Sequence, residues 1–282
     1  MTKYFFLMWA FIGLCVPAWA FSLSNFDGPE SVVRDSEDGA YYVSNVGGDA
    51  LEKDGNGFIS KINAGGSIVI QKFIGGKKED GVLNAPKGLA IVGRNIFVAD
   101  IDTVKVFDKK TRKPSAIVDL TYHGAKLLND IATDAVGNLY VSDTLTDRIF
   151  KIQPTTGYTV SVYASSPALS GPNGLLMNPR SRRLMVVTWG SGQVLEIGPA
   201  GALHVLKRGL TNLDGIDYDK NGNLYVSSFT KGEIYKISNY GRGKLNTHVT
   251  GLTAPADILY DRQKEELVVP SMKNNKVTTI KR

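Results

Sequence analysis

Cysteine is almost absent from this chain: the single one among 282 residues is Cys15, inside an apolar N-terminal stretch. From Phe21 onward there is no thiol, which excludes disulfides, zinc–cysteine centres and cysteine nucleophiles from that part. Histidine is nearly as sparse, and His123, His204 and His248 are too scattered to suggest a metal cluster. No G-x-S-x-G turn occurs, so the elbow of a serine hydrolase is missing. Lysines are dispersed and form no basic stripe with interleaved aromatics, and the formal net charge is only +6, so nucleic acid is not an expected partner. Long stretches with helical apolar periodicity are lacking too.

What is present begins with the leader. MTKYFFLMWAFIGLCVPAWA has one lysine, an apolar run from Tyr4 to Val16, then Pro17 and the small-x-small triplet Ala18, Trp19, Ala20. This is the layout of a secretory signal peptide cleaved after Ala20, with an apolar run too short to span a bilayer. Leu14 before Cys15 argues against lipoprotein acylation. The expectation is a periplasmic or secreted monomer, free of the membrane after cleavage, with a single domain over 21–282. At 43% hydrophobic and 21% charged residues, with mean hydropathy −0.09, it has the profile of a soluble protein with an ample core.

A repeat organises that domain. Turn, short strand, turn, apolar strand recurs in GPESVVRDSEDGAYYVSN (28–45), APKGLAIVGRNIFVAD (85–100), LLNDIATDAVGNLYVSD (127–143), GPNGLLMNPRSRRLMVVTW (171–189), NLDGIDYDKNGNLYVSS (212–228) and APADILYDRQKEELVVPS (254–271). The spacing is about 42 residues, and a third and usually a fourth strand follow each pair, which is the signature of propeller blades. An all-β, six-bladed β-propeller is predicted. The last repeat ends on its third strand, NKVTTIKR, so the outer strand of that blade is expected from FSLSNF (21–26), closing the ring.

The first strand of each blade starts at one mouth of the central tunnel, so the residues at that register converge there: Glu30, Lys87, Asn129, Asn173, Asp214 and Ala256. Four of them are hard oxygen donors. Two carboxylates and two amides suit Ca²⁺, with Mg²⁺, Mn²⁺ or Zn²⁺ as alternatives. Each position alone also reads as a turn-former, because Asn and Asp before Gly tolerate left-handed backbone.

These residues also carry a resemblance. GPES (28–31), LND (128–130), PNG (172–174) and LDG (213–215) resemble the glutamate, asparagine, asparagine and aspartate motifs of the family containing senescence marker protein, gluconolactonase and luciferin-regenerating enzyme. Paraoxonases, strictosidine synthases and diisopropylfluorophosphatase are its relatives. The resemblance implies that Glu30, Asn129, Asn173 and Asp214 hold one ion, usually calcium, and that the chain hydrolyses a small lactone or ester. It further implies that Asp214 orients or deprotonates water, with Asp130 as a second candidate. Where the paraoxonase branch has Pro-His-Gly, this chain has Pro86-Lys87-Gly88. Lys87 then acts as a base, stays charged to bind a substrate carboxylate, or swings out to solvent.

Three further readings follow. The insertion NVGGDALEKDGNG (45–57) is either a rim over the mouth or a plain solvent loop. Asp100 and Asp143 are expected to bond backbone within their blades, and DKNGN (219–223) to be a hairpin turn rather than an EF-hand start. The competing function is a non-catalytic propeller that binds a ligand or partner protein around a structural metal.

Overall fold

The computed structural model describes residues 21–75 and 81–281, and the predicted leader, 1–20, lies outside them. Twenty-four strands form six four-stranded antiparallel sheets, with no α-helix among the described residues. Blade 1 comprises β2 (Pro29–Arg34), β3 (Tyr41–Asn45), β4 (Phe58–Ile62) and β5 (Ile68–Ile74); blade 2, β6 (Pro86–Val92) to β9 (Pro114–Asp119). Blade 3 runs from β10 (Leu128–Thr133) to β13 (Thr159–Ser165), blade 4 from β14 (Pro172–Met177) to β17 (Leu203–Lys207), and blade 5 from β18 (Leu213–Tyr218) to β21 (Leu245–Val249). Blade 6 holds β22 (Leu259–Asp261), β23 (Glu266–Ser271) and β24 (Lys276–Lys281). The first strands pack on one another around the ring, β2 on β6, β6 on β10, β10 on β14, β14 on β18, β18 on β22 and β22 on β2. This is the six-bladed β-propeller.

Each blade is too thin to own a core, so apolar residues are buried between neighbours. Val32, Tyr41, Val268 and Val277 fill the layer between blades 6 and 1; Tyr225, Ile234, Ile258 and Tyr260 fill that between blades 5 and 6. Six such layers replace a single central core. Ring closure follows the expectation: β1 (Ser22–Leu23) pairs antiparallel with β24, Ser22 opposite Thr278 and Leu23 opposite Val277. Thr279 N donates to Phe21 O at 2.9 Å, and Phe26 is buried in the layer between the first and last blades.

The hairpin turns at the far end of the inner strands are also as read. Asp219 Oδ1 accepts the N–H groups of Asn221 and Asn223, both at 2.9 Å, which makes DKNGN an Asx-stabilised hairpin.

Candidate functional site

A local irregularity in the inner strands positions the site. In blades 1 to 5 the pairing of the first strand with the second slips at one place: between Pro29 and Val32, Pro86 and Leu89, Leu128 and Ile131, Pro172 and Leu175, Leu213 and Ile216. Two residues there face one on the partner strand, which is a β-bulge, and a bulge bends the strand and re-aims side chains. Glu30, Lys87, Asn129, Asn173 and Asp214 each occupy the first bulged position. The N–H freed by the bulge is satisfied in three blades by a serine on the second strand: Ser31 N donates to Ser44 Oγ, Asp130 N to Ser142 Oγ and Gly215 N to Ser227 Oγ, at 2.7–2.9 Å. These are the serines of YVSN, YVSD and YVSS.

The residue ending the second strand then grips the backbone that leads into the bulge. Asp143 accepts from Lys126 N and Leu127 N, Asp100 from Asn84 N and Ala85 N, and Asn45 Oδ1 from Asp27 N. Close approach of neighbouring inner strands also needs glycine at the second bulged position. A Cβ on Gly174 would sit 2.3 Å from Asp214 O, and one on Gly88 would sit 2.5 Å from Asn129 O.

The five polar register residues line one cavity of about 310 Å³, and none of them is more than 9% exposed. Three of their oxygens are buried without a hydrogen-bond partner: Glu30 Oε2, Asn173 Oδ1 and Asp214 Oδ1. The amides are turned so that nitrogen is used up on protein and oxygen is left over. Asn173 Nδ2 donates to Leu213 O at 3.2 Å and Asn129 Nδ2 to Thr144 Oγ1 at 3.1 Å. A buried polar atom without a partner costs roughly 1–3 kcal/mol, so three on one floor are a strong sign of an external partner. Larger depressions of 460 and 540 Å³ lie at the opposite end of the blades, around Arg180 and Arg242 and around Asp134 and Met177. They are bordered by hairpin turns and contain none of the unpartnered oxygens. A third, of 410 Å³ between Ser22, Leu252 and Lys276, holds one, the Thr278 hydroxyl; the smaller cavity gathers three, two of them from carboxyl groups, and is the candidate site.

Burial pushes the carboxyl of Asp214 up to about 7, reinforced by the charge of Asp130 and opposed by the Asn173 amide and Lys87. Glu30 is held well above the ordinary carboxylate range, again by burial and then by the charge of Asp214. Two desolvated anions facing one another are stabilised by a cation between them. The donor set fits a hard divalent ion: two carboxylates, two amide oxygens and no soft ligand. Among the described residues no cluster of three or more His, Cys, Asp or Glu side chains stands in metal-holding geometry, and this set contains only two such residues.

Lys87 is turned inward, not out to solvent. Its Nζ donates to Ala50 O at 3.1 Å and Ala85 O at 3.2 Å, and burial lowers its pKa against the attraction of Glu30 and Asp100. Ala50 belongs to the 45–57 insertion and lines the cavity, so that insertion forms part of the rim. Asp130 is the predicted residue that does not join the others. Its Oδ1 accepts Ile131 N and its Oδ2 accepts Leu175 N, both at 2.6 Å, and it does not line the cavity. His123 sits in an exposed 3-10 turn and is likewise away from the lining.

Two sets of residues escaped the sequence reading. Asp257 follows Ala256 in the register, accepts Ser31 Oγ at 2.6 Å, and is driven well above its ordinary pKa by burial and then by Asp130 and Glu30. The second set is the residue just after each second strand: Val46, Ile101, Thr144, Trp189, Phe229 and Met272. The last four line the cavity, while Val46 and Ile101 pack together beside it with Ala85. Aligning the six repeats two columns beyond the serine would have exposed this second ring.

No protein-family model matches the chain, and no curated protein matches it in sequence. Solved structures do share its fold. A gluconolactonase from Xanthomonas campestris superposes with a TM-score of 0.69 at 15% identity, over 92% of this chain and 89% of that one. Virginiamycin B lyase from Staphylococcus aureus, in a catalytically inactive histidine-to-alanine form with quinupristin, gives 0.68 at 14% identity over 93% and 98%. A streptogramin B lyase gives 0.61 at 16% over 93% and 86%.

Proposed function

We propose that this chain is an exported hydrolase of a lactone or ester that works with a divalent ion, calcium first, held by Glu30, Asn129, Asn173 and Asp214. The observation that carries the reading is the set of three unpartnered buried oxygens on one cavity floor, each from a different blade. Bound there, the ion would supply Lewis-acid polarisation of the substrate carbonyl.

The chain's own residues do the rest. An ammonium has three N–H groups, and Ala50 O and Ala85 O take two of those on Lys87. The third is left to the cavity, where it stabilises negative charge developing on the substrate oxygen. Burial works against the charge on Lys87 while the neighbouring Glu30 and Asp214 work for it; the role assigned is that of a donor, because both of its hydrogen bonds, to Ala50 O and Ala85 O, use its N–H groups. Asp214, which would be deprotonated in the ion-bound protein, orients the attacking water and takes its proton. Asp130, saturated by two backbone N–H groups, acts by joining blades 3 and 4.

The likeness of fold to a gluconolactonase, together with the matching glutamate, asparagine, asparagine and aspartate at the mouth, supports hydrolysis. The lyases of the same fold offer a second chemistry, but one of them is inactivated by loss of a histidine, and the cavity lining of this chain includes none. Metal analysis of the purified protein, followed by hydrolysis assays with and without chelator, tests the reading. Bound calcium with no turnover of any lactone or ester would leave a binding propeller with a structural ion.

A further inference from the structure

The walls of the cavity differ sharply from its floor. Above the polar register residues stand Leu127, Leu145, Trp189, Phe229 and Met272, with the rings of Trp189 and Phe229 tilted at a centroid distance of 5.5 Å. Trp189, Phe229 and Met272 are only half-buried, and Leu145 is 55% exposed. Apolar surface left open around a polar floor is a feature of ligand sites. One wall residue, Thr144, is polar, but its hydroxyl is already engaged: it donates to Pro172 O at 2.8 Å and accepts from Asn129 Nδ2. The collar therefore presents mainly aromatic faces and methyl groups to a ligand, with Lys273 Nζ 5.5 Å from the centre of the Phe229 ring.

From this we infer that the site takes a lactone or ester with an apolar alkyl or aryl body, and discriminates against polyhydroxylated sugar lactones. The inference rests on the hydrolase reading for its chemistry, while the apolar collar is an independent observation. A sugar lactone would bring several hydroxyls against Phe229, Leu127, Leu145 and Met272, whose side chains have no hydrogen-bonding group to meet them, and the Trp189 indole N–H and the Lys273 ammonium beside Phe229 could serve only a few. Unmet polar groups are rejected strongly. An alkyl or aryl body replaces water on those faces, its carbonyl reaching the floor beside Lys87. At about 310 Å³ the cavity is at the small end of ligand pockets, so the body is compact, a single ring or a short chain.

Trp189 supplies a direct readout, because the only other tryptophans are Trp9 and Trp19, within the predicted leader. In the chain from Phe21 on, which contains the closed ring, emission reports this collar alone. Two measurements on the calcium-loaded protein form the test: turnover of γ-nonalactone and phenyl acetate against glucono-δ-lactone, and Trp189 emission titrated with 2-pentylcyclopentanone, which cannot be hydrolysed, against inositol. Expected are a kcat/KM for the apolar substrates at least about 100-fold above that for glucono-δ-lactone, and an emission change with the ketone only. Phe229→Asn should then lower kcat/KM for γ-nonalactone about tenfold through KM, with Phe229→Leu within about threefold of wild type and both variants melting as wild type does. Equal or better turnover of glucono-δ-lactone overturns the inference and leaves the hydrolase standing. No turnover of anything, with emission still responding to the ketone alone, supports the apolar site and removes the hydrolase. An emission change with inositol alone, or with neither compound, overturns the inference.

Discussion

The carboxylate of Asp130 in blade 3 accepts the backbone N–H of Leu175 in blade 4 at 2.6 Å, and with its other oxygen the N–H of Ile131. The bond to Leu175 ties two inner strands together at the level of the polar floor, while the bond to Ile131 fixes the carboxylate on its own strand. Asp130→Ala should lower stability by roughly 2–4 kcal/mol, because two buried N–H groups lose their acceptor. Urea denaturation measures it. A normally stable Asp130→Ala protein devoid of turnover would point instead to a base at the reacting centre.

Calcium should raise the melting temperature of the wild type. At a hundredfold excess over Kd the stabilisation is about 2.7 kcal/mol, or on the order of 5–10 °C for a chain of this size. Asp214→Ala removes one of two anions from the floor and should melt at nearly the same temperature with and without calcium. Scanning calorimetry of both proteins in calcium and in chelator is the check; an equal calcium response would remove Asp214 from the ligand set.

In chelator the stability should depend on pH with an unusual sign. The carboxyls of Asp214 and Asp130 are raised to about 7 and about 6 by burial, against roughly 4 in the unfolded chain. Between those values the folded state binds more protons than the unfolded one, so stability falls as pH rises from about 4 to about 7. The metal-free protein should therefore melt higher at pH 5 than at pH 8. Calcium, which needs Glu30 and Asp214 deprotonated, should stabilise most above pH 7 and flatten or reverse the trend. A chelated protein that melts lower at pH 5 than at pH 8 would show that these carboxyls do not control the profile.

Ring closure predicts a global effect of a short segment. Phe26 is 4% exposed between the first and last blades, and Phe26→Ala should cost about 3–5 kcal/mol. Removing 21–26 also deletes β1 and uncovers the edge of β24, and the whole protein should melt at a lower temperature in one transition. An unchanged transition temperature for the truncated chain would show that β1 contributes nothing to closure.

Lys87 ties the 45–57 insertion to the mouth through Ala50 O. Lys87→Met should free that connection, so limited proteolysis should cut within 45–57 faster while the ring stays folded. Removing a cation from beside Glu30 and Asp214 should also tighten calcium binding, by roughly three- to tenfold in a titration. Unchanged cleavage together with unchanged affinity would place Lys87 outside the site.

Much of this was legible before any coordinates. The repeat announces six blades because each blade must present the same apolar alternation to two neighbours and the same turn at each end, which leaves a period of about 42 residues. Closure by 21–26 was legible too, since the last repeat is one strand short. Glu30, Lys87, Asn129, Asn173 and Asp214 converge because a propeller sends one register to one mouth. Trp189 and Phe229 were equally periodic but passed unnoticed, because apolar residues at strand ends read as ordinary core.

Other decisions belonged to the tertiary structure alone. Asn129 and Asp130 are adjacent in sequence and both carry side-chain oxygens, yet one lines the cavity and the other bonds the next blade. The bulge at Leu128 to Ile131 sets which way each side chain points, and that depends on the partner strand. Whether Lys87 faced solvent or the mouth depended on two carbonyls, one of them contributed by Ala50 in another blade. A one-dimensional period can specify which residues meet; where each atom points is set by partners distant in sequence, and only the folded ring brings those together.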